Sequence, residues 1–251
     1  MIPKKIHYCW FGRGPKPGLA EKCIVSWRKF LPDYEIIEWN EDNFDVNEIP
    51  YTAQAYAAKK YAFVSDYARF KILYEYGGLY FDTDVEIIRP LDDIIAAGPF
   101  MGCEGKYHEN QSPMKLGVAA GLGLAAESGM ELYRDLINLY STTDFVSADG
   151  QKDANNVVTH VTRLLISKGF QNVPSIQKVA GVTIYPIDYF CPFDFDNGKL
   201  TVTANTRSIH HYSGSWLTPS ARIITWLTQH HLKWVLTTLS AIKHSVMPKH
   251  K

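Results

Sequence analysis

Two aspartates one residue apart, Asp82 and Asp84 in "YGGLYFDTDVEIIRP", stand where a strongly β-prone run is about to end. Successive side chains of an extended strand point to opposite faces, so a strand here would aim both carboxylates to one side and Thr83 to the other. Like charges that close resist ionising together, and a cation, an arginine or a ligand hydroxyl between them relieves the cost. Hard oxygen ligands favour Mg²⁺ or Mn²⁺, which take one or two protein carboxylates and keep positions for water and a diphosphate. For a DxD taken alone, a solvated strand end is the plain alternative. Upstream, Asp66 and Arg69 in "SDYAR" fall at i and i+3 on one helical face. Such pairs are usually surface ion pairs, but a carboxylate beside a planar guanidinium also clamps sugar hydroxyls, one accepting and the other donating. Far downstream, "HHYSGSW" supplies His210 and His211, and a neutral imidazole is a good Mn²⁺ ligand.

Regular elements must hold these residues together. "KKIHYCWFGRG" reads as a short buried strand ending in a glycine loop, a helix is expected from Gly18 to Phe30, and "YEIIEWNEDN" reads as a second strand stopped by Asn and Asp. From Thr52 to Tyr76, Phe63, Tyr67, Phe70 and Tyr74 recur at helical spacing. Gly77 and Gly78 then end that helix as left-handed cap residues, and Leu79 to Phe81 run as a strand into the aspartates. Further strands are expected in "PFMGC", "GVAAGLGLA", "GVTIYPIDYF" and "TRSIHHYSGSW", and helices at 127–140 and 154–168. Asn155 and Asn156 suit a helix cap, and "FDFDNG" suits a solvated turn. Gly117, Gly121 and Gly123 suit tight packing, with room for a sugar as the other reading.

The chain has 251 residues, 46% of them apolar, which is enough for a sizeable core, and basic and acidic residues balance at 26 each. That balance gives no reason to expect a nucleic-acid partner. "MIPKKIHYCWFG" has no long apolar core after its lysines, and no run of 18 apolar residues occurs. Four cysteines without CxxC spacing fit a reducing compartment, so a cytoplasmic location is expected. One α/β domain over 1–217 with a helical tail over 218–251 is the simplest organisation.

The run "AFVSDYARFKILYEYGGLYFDTDV" closely resembles the DxD sugar-binding region of glycosyltransferase family 32, which includes a yeast initiating α-1,6-mannosyltransferase and many bacterial capsular-polysaccharide transferases. It is also similar to the same region of the glucosylating clostridial toxins. The resemblance extends in outline to "IPKKIHYCWFG" and "HHYSGSW", with residues 106–205 matched loosely. It implies a GT-A fold, a Rossmann-like mixed central sheet that binds a nucleotide-sugar, here with a C-terminal helical extension. Carried onto this sequence, the resemblance implies that Asp84 is a direct metal ligand, with Asp82 shared between metal and sugar. His211 completes the metal site, with His210 as the alternative, and Asp66 and Arg69 hold the donor sugar. Trp10 stacks on the nucleotide base, and Ser215 and Trp216 donate to the leaving diphosphate.

The activity implied is metal-dependent, retaining transfer of a hexose to a glycan hydroxyl or lipid-linked oligosaccharide in surface polysaccharide synthesis. UDP-hexose is the favoured donor and GDP-mannose the other. A nucleotide-sugar hydrolase and a non-catalytic sugar-binding module are the alternatives. In the tail, Ile224, Leu227, Trp234 and Ile242 share a helical face and are accompanied by lysines, which suits either peripheral contact with an anionic membrane or packing on the domain.

Overall fold

The computed structural model describes residues 1–105, 116–146, 156–194 and 199–214. The first half begins with β1 (Lys5–Cys9), α1 (Gly18–Phe30), β2 (Glu35–Trp39), α2 (Pro50–Ala57) and α3 (Tyr61–Tyr76). It continues with β3 (Gly78–Tyr80), β4 (Val85–Ile87), α4 (Asp92–Ala96) and β5 (Phe100–Gly105). The second half has β6 (Leu116–Ala119), β7 (Leu124–Ala126), α5 (Glu131–Ser141), α6 (Val157–Ser167), β8 (Gln177–Val179) and β9 (Val182–Tyr185). It closes with α7 (Ile187–Phe190), β10 (Phe193–Asp194), β11 (Lys199–Leu200) and β12 (Ser208–His210).

A mixed sheet in the order β2-β1-β3-β7-β5-β9-β8, with β6 also pairing β5, forms the centre. β1 is parallel to β2 and β3, β7 runs antiparallel to both β3 and β5, and β9 is parallel to β5. β1, β2, β3, β5 and β9 therefore all end on one edge, where open α/β sheets present their ligand-binding groups. Period-two alternation sends Ile6 and Tyr8 of β1 to one face and Cys9 to the other. The first face packs on Ile24 and Trp27 of α1, the following Leu31 and Phe190 of α7, and the second on aromatic residues of α2, α3 and α5 such as Tyr51, Tyr67, Phe70 and Tyr140. Cys9, Cys23, Cys103 and Cys191 are buried with free thiols.

The single helix expected over 52–76 is two helices. Lys59 takes a left-handed φ of 56° and the Lys60 N–H reaches back to the Ala55 carbonyl, which closes α2 before α3 begins. Gly77 and Gly78 do end α3, at φ 61° and 98°. A Cβ on Gly78 would stand 2.7 Å from the Lys5 carbonyl, so a side-chain-free residue lets β3 lie against β1 directly after the helix. The expected helices after β7 and before β8 start later, at Glu131 and Val157, the second capped by Asn156, whose side chain accepts from the Thr159 N–H. α4, β8, α7 and the β10–β11 hairpin were not expected as elements. The helical tail, Asn155 and the Asn-Gly of "FDFDNG" lie outside the described residues. Among the described residues no helix is long and apolar enough to cross a membrane.

Candidate active site

The DxD lies in a tight turn, which corrects the expectation of a strand. After β3, the Phe81 N–H still bonds to the His7 carbonyl, and then the Val85 N–H folds back onto the Asp82 carbonyl at 3.0 Å. The turn, rather than strand pleat, brings the two carboxylates together. Directly after it, β4 pairs antiparallel with β12, Val85 opposite His210, which delivers a histidine from the far end of the chain.

His210 Nε2 lies 3.0 Å from Asp84 Oδ1, and Asp84 Oδ2 accepts the Ser213 N–H at 2.7 Å. One ligand atom from each of Asp82, Asp84 and His210 can be chosen so that all lie within 4.8 Å of one another. The expected ligand His211 is not in this group. Neighbouring strand residues face opposite ways, and His211 Nε2 instead meets Glu86 Oε2 at 2.8 Å, an oxygen that Lys22 Nζ also approaches at 2.9 Å. Of the two histidines left open by the sequence, His210 is the one placed with the aspartates.

Asp66 and Arg69 do not form a surface pair. Their side chains are only 11% and 3% exposed, and Arg69 Nη2 sits 2.8 Å from Asp66 Oδ1 and 3.3 Å from Asp82 Oδ1. Arg69 Nε donates to the Ser65 carbonyl at 3.0 Å, its guanidinium lies 5.0 Å from the Tyr80 ring centre, and the Tyr80 hydroxyl donates to Asp82 Oδ1 at 3.2 Å. Arg69 Nη1 is buried with no hydrogen-bond partner among the described residues. A buried charged donor without an acceptor is costly, and a bound ligand oxygen would satisfy it.

Charge in the site is unbalanced. Burial pushes the Asp66 carboxyl up, with Arg69 opposing and Asp82 adding to the shift. Asp82 is also raised by burial, against Arg69 and with Asp84 adding. For Asp84, burial is outweighed by His210 and the Ser213 N–H, which hold it well below the usual carboxylate range. Burial lowers the His210 imidazole, but Asp84 outweighs it and keeps the proton on to higher pH. A fourth carboxylate, Glu104 on β5, is raised by burial close to His210 and Asp82. Four carboxylates thus face one guanidinium and one imidazole. Two carboxylates and an imidazole with ligand atoms within 4.8 Å of one another fit Mn²⁺ or Mg²⁺, and a cation would correct the excess.

Three participants escaped the sequence reading. Glu104 Oε2 accepts the Tyr212 hydroxyl at 2.9 Å, and Cys191 Sγ lies 2.9 Å from the same hydroxyl. Since the phenol gives its proton to the carboxylate, the thiol donates to the phenol oxygen. The Tyr212 ring lies 3.9 Å, centre to centre, from that of His210, with its backbone in the left-handed region at φ 47°. Gly121, read from sequence as a packing glycine, faces the cluster: a Cβ there would stand 2.3 Å from Asp82 Oδ2. "HHYSGSW" could have pointed to Tyr212, but a lone Glu in "FMGCEG" carries no signal of its own.

Trp10 follows β1 on the same sheet edge, half-buried, with its backbone N–H on the Trp39 carbonyl and Nε1 donating to the Gly14 carbonyl at 2.7 Å. These bonds hold the ring in place. Ser215 and Trp216 lie outside the described residues.

Residues 17–101 match the model of the glycosyltransferase sugar-binding region containing the DXD motif. Inositol phosphoceramide mannosyltransferase 3 of Schizosaccharomyces pombe is 32% identical over 101 residues, covering 38% of this chain and 27% of that protein. The chain therefore aligns with little more than a quarter of that relative's length. Among solved structures, the PaToxG glycosyltransferase superposes with a TM-score of 0.50 at 18% identity, over 67% of this chain and 70% of that one. The galactosyltransferase LgtC, solved with donor and acceptor sugar analogues, gives 0.43 at 13% identity, over 90% of this chain and 94% of that one. Residues 17–101 thus resemble the DXD sugar-binding region of glycosyltransferases, within a chain that has the GT-A fold.

Proposed function

We propose that this protein is a metal-dependent glycosyltransferase that moves a hexose from a nucleotide-sugar, UDP-hexose in the first instance, to a glycan hydroxyl with retention of configuration. The observation that carries the reading is the Asp82–Asp84–His210 cluster set against the buried Asp66–Arg69 pair, whose Nη1 lacks an acceptor among the described residues. Asp82, Asp84 and His210 would hold the cation. When bound, it would supply positive charge to a diphosphate leaving group.

The chain's own residues do the rest. Arg69 Nη1 donates to a donor-sugar hydroxyl and Asp66 accepts from another, so the sugar is gripped on both polarities. Arg69 also balances Asp82, and Tyr80 steadies the same carboxylate oxygen. The Ser213 N–H fixes the second oxygen of Asp84, so that its first faces His210. Trp10 presents a ring to the nucleotide base, and we assign Ser215 and Trp216, which follow Ser213 closely in sequence, to donation toward the diphosphate. We assign proton removal from the acceptor to the leaving phosphate in a front-face transfer. The four buried thiols accord with a reducing, cytoplasmic setting.

The test is incubation with a panel of nucleotide-sugars and Mn²⁺, with and without oligosaccharide acceptors. Sugar transfer is expected with at least one donor, and absence of sugar release from every donor would refute the enzymatic reading.

A further inference from the structure

We propose that a cleft at the C-terminal end of β9 is a binding groove for a neutral glycan, the outer part of the acceptor; the acceptor role rests on the transferase reading above. The cleft has a volume of about 430 Å³ and is walled by Pro174, Ile176, Pro186, Asp188, Tyr189 and Asn205, among others. β9 ends on the same sheet edge as β3, which leads into the DxD, because both run parallel to β5. Along the sheet order, β7 and β5 lie between them. Three strand spacings put the groove about 14 Å from the strand that feeds the metal cluster. A chain of a few sugar residues can bridge that distance, whereas a single sugar cannot.

The groove is also tied to the cluster through bonds. Asp188 Oδ2 accepts from Thr203 Oγ1 at 3.2 Å and from Asn205 Nδ2 at 2.9 Å, while the Thr206 hydroxyl donates to the Asp188 carbonyl at 2.8 Å. The Arg207 N–H bonds to the Tyr189 carbonyl at 2.7 Å, one residue before β12, the strand that carries His210. On the other side of α7, Cys191 reaches the Tyr212 hydroxyl, whose ring lies against His210.

The chemistry of the walls selects the ligand. Among the described residues no lysine or arginine lines the cleft and the one carboxylate is Asp188, so phosphate and other anions find no counter-charge on these walls. A purely apolar ligand would strand the polar ends of Asp188 and Asn205. A sugar offers hydroxyls that donate to a carboxylate and an apolar face that packs on tyrosine and proline. Asp188 is prepared for this, since among the described residues the side-chain bonds it accepts, from Thr203 and Asn205, both fall on Oδ2, which leaves Oδ1 for a ligand hydroxyl.

The test is saturation-transfer NMR on the full chain with lactose, maltose and α-1,6-mannobiose, in EDTA and without nucleotide. At least one disaccharide is expected to bind. Ile176→Arg, at a residue 50% exposed and so tolerant of change, and Tyr189→Ala should each weaken that binding about tenfold or more. Val25→Arg, at a 60% exposed position on α1, should bind as the wild type does. No signal with any of the three disaccharides, or a signal that survives both groove substitutions, would overturn the proposal. Neither metal, donor nor turnover enters this measurement, so it fails separately from the transferase reading.

Discussion

A single methyl group added at Gly121 would land inside the acidic cluster. The Cβ of Gly121→Ala stands 2.3 Å from Asp82 Oδ2 and 3.7 Å from His210 Cε1. Ordinary contact begins near 3.4 Å, so the Asp82 carboxylate has to retreat by roughly 1 Å or leave its present rotamer. Backbone strain plays no part, because Gly121 is not among the glycines at positive φ. The cost in stability is that of one displaced carboxylate, about 1 kcal/mol, which shifts the melting temperature of a chain this size by roughly 2–4 °C. The cost to the site is larger. A displacement of about 1 Å in a preorganised centre is worth on the order of 100-fold, or about 2.7 kcal/mol. Calorimetric titration of the donor in Mn²⁺, beside a thermal melt, separates the two effects. The expected result is a near-normal melt with affinity reduced on the order of 100-fold. Wild-type affinity in Gly121→Ala would refute the reasoning, because Asp82 would then not face the ligand.

Other perturbations read other parts of the site. His210→Ala should weaken Mn²⁺-dependent donor binding about tenfold or more, and His211→Ala should weaken it far less; equal losses by calorimetry would contradict the assignment of His210. Tyr212→Phe removes the donor to half-buried Glu104 and should cost about 1–3 kcal/mol of unfolding free energy in urea. His7 is fully buried, and the Trp39 indole N–H donates to its Nδ1, so the ring is neutral and Nε2–H donates to the Gly77 carbonyl. Burial lowers its pKa from 6.5 to about 4. The unfolded chain therefore takes up the proton first as pH falls, and stability from this residue is full above pH 6.5 and declines toward pH 4. The loss should approach ~3 kcal/mol, read as the difference between urea titrations of the wild type and His7→Gln across that range. Parallel pH curves for the two proteins would contradict it.

Several local signals in the sequence were read correctly, whereas others and the long-range ones were not. α1 has the bounds expected from its pattern, the glycine pair closes α3, and Asn156 caps α6, because each depends on residues within a few positions. The break between α2 and α3 was hidden, since a lysine rather than a glycine or proline takes the left-handed turn. Asp66, Arg69, Asp82 and Asp84 were legible as one helix-turn-strand unit. Which histidine joins them depends on the register of β12 against β4, and that register has no local signature. Glu104 is invisible for the same reason: one acid on an apolar strand becomes part of a site only when Tyr212 is folded against it.

The central claim is that Asp82, Asp84 and His210 bind a divalent cation together with a nucleotide diphosphate. Mn²⁺ electron paramagnetic resonance in the presence of UDP tests it most directly. The wild type should remove one equivalent of free Mn²⁺ from solution and Asp84→Ala should not. Free Mn²⁺ that is undiminished by the wild-type protein, or diminished equally by Asp84→Ala, would contradict the account.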